Sequence, residues 1–125
     1  MNDTSDLTHK HCIPCEGGVP SLTHQQVSAY ADHIPGWEIV VEKELKIRRK
    51  FSFKSFNKAI EFVNEVATLA EQEHHHPDIL INYNKVTLIL WTHAIGGLSE
   101  NDMILAAKIQ TLLEDRSKII QAPAK

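Results

Sequence analysis

The sequence predicts an α+β domain: a four-stranded antiparallel sheet with three helices packed on one face, in the order α-β-β-α-β-β-α. Three observations carry this reading. Two pairs of short apolar runs are joined by brief polar turns, and three segments of helical periodicity stand before, between and after those pairs. The third is size, because 125 residues, 42% of them hydrophobic, suffice for one core and leave no room for a second. Residues 22–121 are expected to form that single domain. Residues 1–21 precede it as a polar, partly flexible extension that runs through Gly17-Gly18-Val19-Pro20, a linker.

In the first helix Thr23 is the expected N-cap, Val27, Tyr30, Ala31 and Ile34 share a face, and Pro35-Gly36 ends the run. Residues 37–41 and 45–53 read as strands around Glu42-Lys43-Glu44. Alternation puts Leu45, Ile47, Arg49, Phe51 and Phe53 on one face and Lys46, Arg48 and Lys50 on the other, with Arg49 interrupting an apolar set. Ser55 caps the clearest helix, where Phe56, Ala59, Ile60, Val63, Val66, Ala67 and Ala70 keep i, i+3, i+4 spacing. That helix must stop at His74-His75-His76-Pro77, since a residue before proline is pushed out of helical geometry. Residues 79–90 form the second hairpin, Gly96-Gly97 turns the chain, and Ser99 caps a last helix over 103–120 with Asp102 at its third position. Leu105, Ala106, Ile109, Leu112 and Leu113 supply its apolar face.

The second hairpin decides where the histidines go. A two-residue Asn84-Lys85 turn sets Tyr83 opposite Val86, Ile81 opposite Leu88 and Ile79 opposite Leu90, which makes one face wholly apolar. The other face then carries Asp78 with Trp91 and His76 with His93, the last pair with Cβ atoms about 5 Å apart. A three-residue loop would oppose His75 to His93 but mix apolar with polar pairs. Either register makes a histidine pair on an open surface. Glu71 lies one turn behind His75, and the carbonyl end of the preceding helix favours imidazolium. Histidine titrates near neutrality, so one neutral and one protonated imidazole can serve as base and acid at the same pH. The bland alternatives are surface histidines at a helix end and, for Asp102, a plain capping role.

Other classes fit less well. A net charge of −3 without a basic run argues against nucleic acid, and the cluster from Lys46 to Lys50 reads as the solvated side of a strand. No apolar run reaches the length of a membrane span, and the N-terminus lacks a signal peptide's apolar core, so a cytoplasmic protein is expected. Cys12 and Cys15 form a Cys-x-x-Cys beside His9 and His11. Four ligands within seven residues would close very tight loops, and no strand or helix frames the motif as in redox proteins, so two reduced thiols are the simpler reading. Nor does the histidine stretch offer helical His-x-x-x-His spacing, so no metal is expected there.

These motifs carry a resemblance. Glu71-x-x-x-His75-His76-Pro77, Tyr83-Asn84-Lys85-Val86, Thr92-His93 and Gly97-Leu98-Ser99-x-x-Asp102 resemble the signature of the pterin-4a-carbinolamine dehydratases. The likeness extends through Gly36-Trp37 and Phe51-x-Phe53-Lys54-x-Phe56-Asn57-Lys58-Ala59, covering residues 22–115 and leaving the Cys-x-x-Cys outside. It implies a hydro-lyase that dehydrates 4a-hydroxytetrahydrobiopterin to quinonoid dihydropterin without metal or organic cofactor. Such a step recycles the tetrahydrobiopterin of an aromatic amino-acid hydroxylase. By position, His75, His76 and His93 match the catalytic histidines, and Glu71, His74, Trp37, Trp91, Thr92 and Asp102 fall on substrate-binding positions. Departures at His74 and Trp91 bear on pocket shape and on the pterin side chain preferred. The resemblance also implies a homodimer or tetramer, consistent with a last helix whose apolar arc is wider than one sheet contact needs. The alternatives are a protein-binding module that serves as a dimerisation cofactor, and a dehydratase of another pterin pathway.

Overall fold

The computed structural model describes residues 7–12 and 20–121, with side chains as far as residue 114. The elements are α1 (His24–Tyr30), a 3-10 turn (Ala31–His33), β1 (Glu38–Val41), β2 (Leu45–Ser52), α2 (Phe56–Glu73), β3 (Asp78–Asn82), β4 (Lys85–Leu90), a second 3-10 turn (His93–Ile95) and α3 (Glu100–Gln121). All four strands are antiparallel neighbours in the order β1-β2-β4-β3, which confirms the α+β architecture and puts β3 at an edge.

Local chemistry accounts for the boundaries. Thr23 Oγ1 accepts from Gln26 N at 3.1 Å while Gln26 Oε1 accepts from Thr23 N at 2.8 Å, a reciprocal cap that starts α1. Ser55 Oγ accepts from Lys58 N at 3.1 Å, a one-way cap that starts α2. Alternation in β2 and β4 sends Ile47, Phe51, Val86, Leu88 and Leu90 into one buried cluster with Val27, Phe62, Val66, Leu105 and Ile109 of the helices. Phe62 anchors it, its ring centroid lying 4.9 Å from Phe51 and 5.1 Å from Phe53.

Arg49, the interruption in that face, bridges elements at the core's margin. Its Nη1 donates to Pro35 O at 3.0 Å and to Gln110 Oε1 at 2.6 Å, and its guanidinium lies 4.7 Å over Phe51. Gly36 makes room for it. At φ +90°, any Cβ there would sit 2.8 Å from the guanidinium.

Three expectations need correction. The second hairpin turns on Tyr83-Asn84 rather than Asn84-Lys85, with Asn82 opposite Lys85, Ile81 opposite Val86, Ile79 opposite Leu88 and Asp78 opposite Ile89. Asn84 fixes this register, because its Nδ2 donates to Phe53 O at 2.7 Å and its carbonyl accepts from Phe53 N at 2.9 Å. Tyr83 absorbs the turn at φ 53°. A shift of two partners preserves the faces but not the pairs, so neither His75 nor His76 opposes His93 across a ladder. Second, the extension read as polar contributes to the core, since Leu7 is buried in the main cluster. Third, the wide apolar arc of α3 is used within the chain, where Met103, Ile104, Leu105, Ala106, Ala107 and Ile109 are all buried. Cys15, residues 17–19 and the side chains of Ile119 and Ile120 lie outside the described residues.

Candidate active site

The end of α2 is shaped by its own backbone before Pro77 acts. His74 takes left-handed geometry at φ 53°, its N–H returns to Glu71 O at 3.3 Å, and His75 N–H returns to Ala70 O at 3.2 Å. This paired closure reverses the chain and carries His75 toward α3. There His75 Nε2 meets Asp102 Oδ1 at 2.6 Å. The histidine side chain is 12% exposed and the carboxylate is fully buried.

Asp102 is held on its other oxygen by Thr92 Oγ1 at 2.8 Å and by Ser99 N–H at 3.0 Å, while Thr92 and Ser99 share a hydroxyl contact at 2.8 Å. One carboxylate therefore caps α3 and orients His75 at once, so the two readings of Asp102 are not exclusive. As a carboxylate it only accepts, which puts the His75 ring hydrogen on Nε2 and leaves Nδ1 with a lone pair. No partner holds Nδ1 among the described residues. Thr92 is fixed in turn by its backbone bridge to Gly97, whose position tolerates no Cβ because one would lie 2.7 Å from Ser21 Cβ.

His93 begins the 3-10 turn beyond β4 and is exposed, its ring stacked on Trp91 at 4.0 Å. Lys46 Nζ lies 4.6 Å over the same indole. His76 is exposed too, with Nε2 2.6 Å from Glu71 Oε2, a contact open to solvent and correspondingly weak.

These groups meet around a cavity of about 650 Å³ lined by residues 73–78 and 91–94 together with Cys12 and Asn101. His74, His75, His76, His93, Trp91 and Thr92 all lie in this lining. Asp102 stands behind the lining and holds His75, while the exposed Glu71 meets His76 at the rim. Trp37 does not line the cavity; it packs edge-on to Phe51 at 6.4 Å, with Nε1 buried and unpaired among the described residues. Among the described residues no group of three or more histidine, cysteine, aspartate or glutamate side chains is placed to hold a metal ion.

Sequence reasoning missed Glu73, Cys12 and Asn101. Glu73, the last residue of α2, is almost wholly buried and accepts from Lys108 Nζ at 2.8 Å and Cys12 N–H at 2.8 Å, with His11 Nδ1 at 3.0 Å. Burial pushes its carboxyl upward, but these hydrogen bonds and the Lys108 charge outweigh it and hold the group at about 2, against an ordinary 4.5. The folded chain keeps Glu73 ionised where the unfolded chain would protonate it. Its contribution is therefore full above pH 4.5 and lost as pH falls toward 2, a change of up to about 3 kcal/mol. Denaturation measured from pH 6 to 2.5 should show that decline, and Glu73→Gln should flatten it while lowering stability at neutral pH. An unchanged acid limb in the variant would remove Glu73 from the account.

Residues 20–112 match the family described as Pterin 4 alpha carbinolamine dehydratase. The chain is 44% identical over 108 residues to a provisionally named pterin-4-alpha-carbinolamine dehydratase of Rubrobacter xylanophilus, a match that spans 86% of this chain and 99% of that one. It is 43% identical over 111 residues to pterin-4-alpha-carbinolamine dehydratase 2, mitochondrial, of Arabidopsis thaliana, covering 86% of this chain and 59% of that protein. A crystal structure described as a transcriptional coactivator/pterin dehydratase from Brucella melitensis superposes with a TM-score of 0.69 at 34% identity, over 74% of this chain and 97% of that one.

Proposed function

The chain belongs to the pterin-4-alpha-carbinolamine dehydratase family, and on that premise we propose that it eliminates water from 4a-hydroxytetrahydrobiopterin by histidine acid–base catalysis. The observation that carries the reading is the His75–Asp102 couple in the cavity wall, with His93 in the same lining. In the reaction the C4a–O bond breaks and the N5 proton leaves, so that N5 becomes doubly bonded to C4a and the product is quinonoid dihydropterin. Nothing is oxidised or reduced. His75 Nδ1 accepts the N5 proton, and Asp102 faces the ring hydrogen of the resulting imidazolium. His93, protonated, delivers a proton to the departing hydroxyl. Its exposure lets solvent restore that proton. The Trp91 indole, with the His93 ring tilted 31° against it, gives the bicyclic ring an aromatic surface, and His76 with Glu71 orients it from the rim.

In this reading the chain serves tetrahydrobiopterin recycling, because the quinonoid product is what a reductase returns to an aromatic amino-acid hydroxylase. The test is turnover of a chemically generated carbinolamine. Acceleration over the uncatalysed rate is expected. A well-folded chain that leaves the rate unchanged would be the dimerisation module instead.

A homodimer belongs to the same proposal. β3 is an edge strand on which Ile79, Leu80 and Ile81 are 38%, 54% and 37% exposed, and Tyr83 follows at 70%. Open, apolar strand edges recruit further strands, and a second copy meeting the same edge across a two-fold axis would cover both. Since α3 spends its upper arc within the chain, the edge strand is the better candidate than the helix. No helix among the described residues is long and apolar enough to cross a membrane. Sedimentation at micromolar concentration should give a dimer or larger, and Leu80→Glu should weaken it at least about tenfold, equivalent to about 1.4 kcal/mol. A monomeric wild type would end this part of the proposal.

A further inference from the structure

We propose that residues 7–12 form a strap that sets Cys12 in the wall of the pterin cavity, where Cys12 is a contact that governs substrate affinity and Glu73 the residue that positions it. This rests on the dehydratase reading and goes beyond it, because the strap lies outside the family match at residues 20–112.

The strap is attached at both of its ends. Leu7 is buried in the main core, and Lys10 Nζ reaches Glu100 Oε2 at 2.9 Å, an oxygen that Tyr30 Oη also holds at 3.2 Å. Cys12 is held tightest. Its N–H donates to Glu73 Oε1 at 2.8 Å, its Sγ to Asn101 O at 3.5 Å, and from there it joins the cavity lining. Burial first, then the Glu73 carboxylate, raise its thiol to about 12, so at neutral pH it presents a small uncharged surface.

Glu73 has a double position. It is the last residue of α2, directly before His74, and its side chain collects the strap and Lys108 of α3. One buried carboxylate thus fixes the distance between Cys12 and the three consecutive histidines. A group placed this way touches the substrate's outline and takes no part in proton transfer. Changes here should therefore appear in KM while kcat is kept.

The full-length chain tests this with Cys12→Phe, Cys12→Ser and Glu73→Gln, assayed on the carbinolamine, and with 15N-labelled wild type titrated with 7,8-dihydrobiopterin. Cys12→Phe fills part of the cavity and should raise KM about tenfold or more with kcat within twofold. Cys12→Ser keeps the size and should raise KM less than Cys12→Phe does, and Glu73→Gln should raise KM severalfold. In the titration the Cys12 amide should shift with the same saturation as the indole of Trp91. Wild-type KM in Cys12→Phe, or a Cys12 amide that stays put while Trp91 responds, overturns the proposal. If the wild type neither turns over the carbinolamine nor responds at Trp91, it is the dehydratase reading that fails.

Discussion

His75→Ala is expected to lower kcat by about 10²–10⁴, the range for a lost general base, which corresponds to about 3–5 kcal/mol of barrier. Three histidines are consecutive in sequence at 74–76, yet only His75 of the three is held by a buried carboxylate. His74 takes the left-handed position that ends α2, and His76 is tied at the surface to Glu71, so neither has a fixed ring with a free nitrogen against the cavity wall. Substitution of His76 should accordingly cost less, within about tenfold and mainly in KM. His93→Ala should fall in the same range as His75→Ala, because no second histidine follows on that side of the cavity. Stopped-flow turnover of the carbinolamine separates these outcomes. If His75→Ala kept most of its activity while His76→Ala lost it, the catalytic couple would have been assigned to the wrong ring.

The fold was legible because each element carried its own signal. Thr23 and Ser55 cap the helices they were expected to cap, and alternation in β2 chose the buried face correctly even across Arg49. The hairpin register was not legible, since asparagine suits either position of a two-residue turn. Asn84 takes the second because of a bond to Phe53, thirty-one residues earlier in the chain. That error moved the expected histidine pair, but not the gathering of the histidines, which depends on the hairpin returning its ends together and survives a shift of two. Trp37 was assigned to the pocket by resemblance alone, and its indole lies against Phe51. Glu73 carried no local mark at all. It stands in a run of charged residues at a helix end, where solvent exposure is the default, and becomes buried only because the strap and Lys108 close over it.

Asp102→Asn should be nearly as damaging to turnover as loss of His75, for a reason that leaves the fold standing. Ser99 N–H and Thr92 Oγ1 both donate to Oδ2, so an asparagine must place its single acceptor oxygen there. The amide NH₂ then faces His75 Nε2, where Oδ1 now accepts at 2.6 Å. Two donors cannot share that contact. The imidazole hydrogen moves to Nδ1, and the atom that faced the substrate with a lone pair now carries a proton it cannot take up. The variant should lose about 10²–10⁴ in kcat. Stability should fall by only about 1–3 kcal/mol, because the cap on α3 and the Thr92 contact persist while one charged hydrogen bond is exchanged for a neutral one. Two measurements separate this from simple misfolding. Thermal denaturation should stay cooperative, and the 15N shifts of the His75 ring should show the protonated nitrogen exchanged from Nε2 to Nδ1. An asparagine variant that turns over like wild type, with the tautomer unchanged, would mean that Asp102 is a helix cap and that the base lies elsewhere in the cavity.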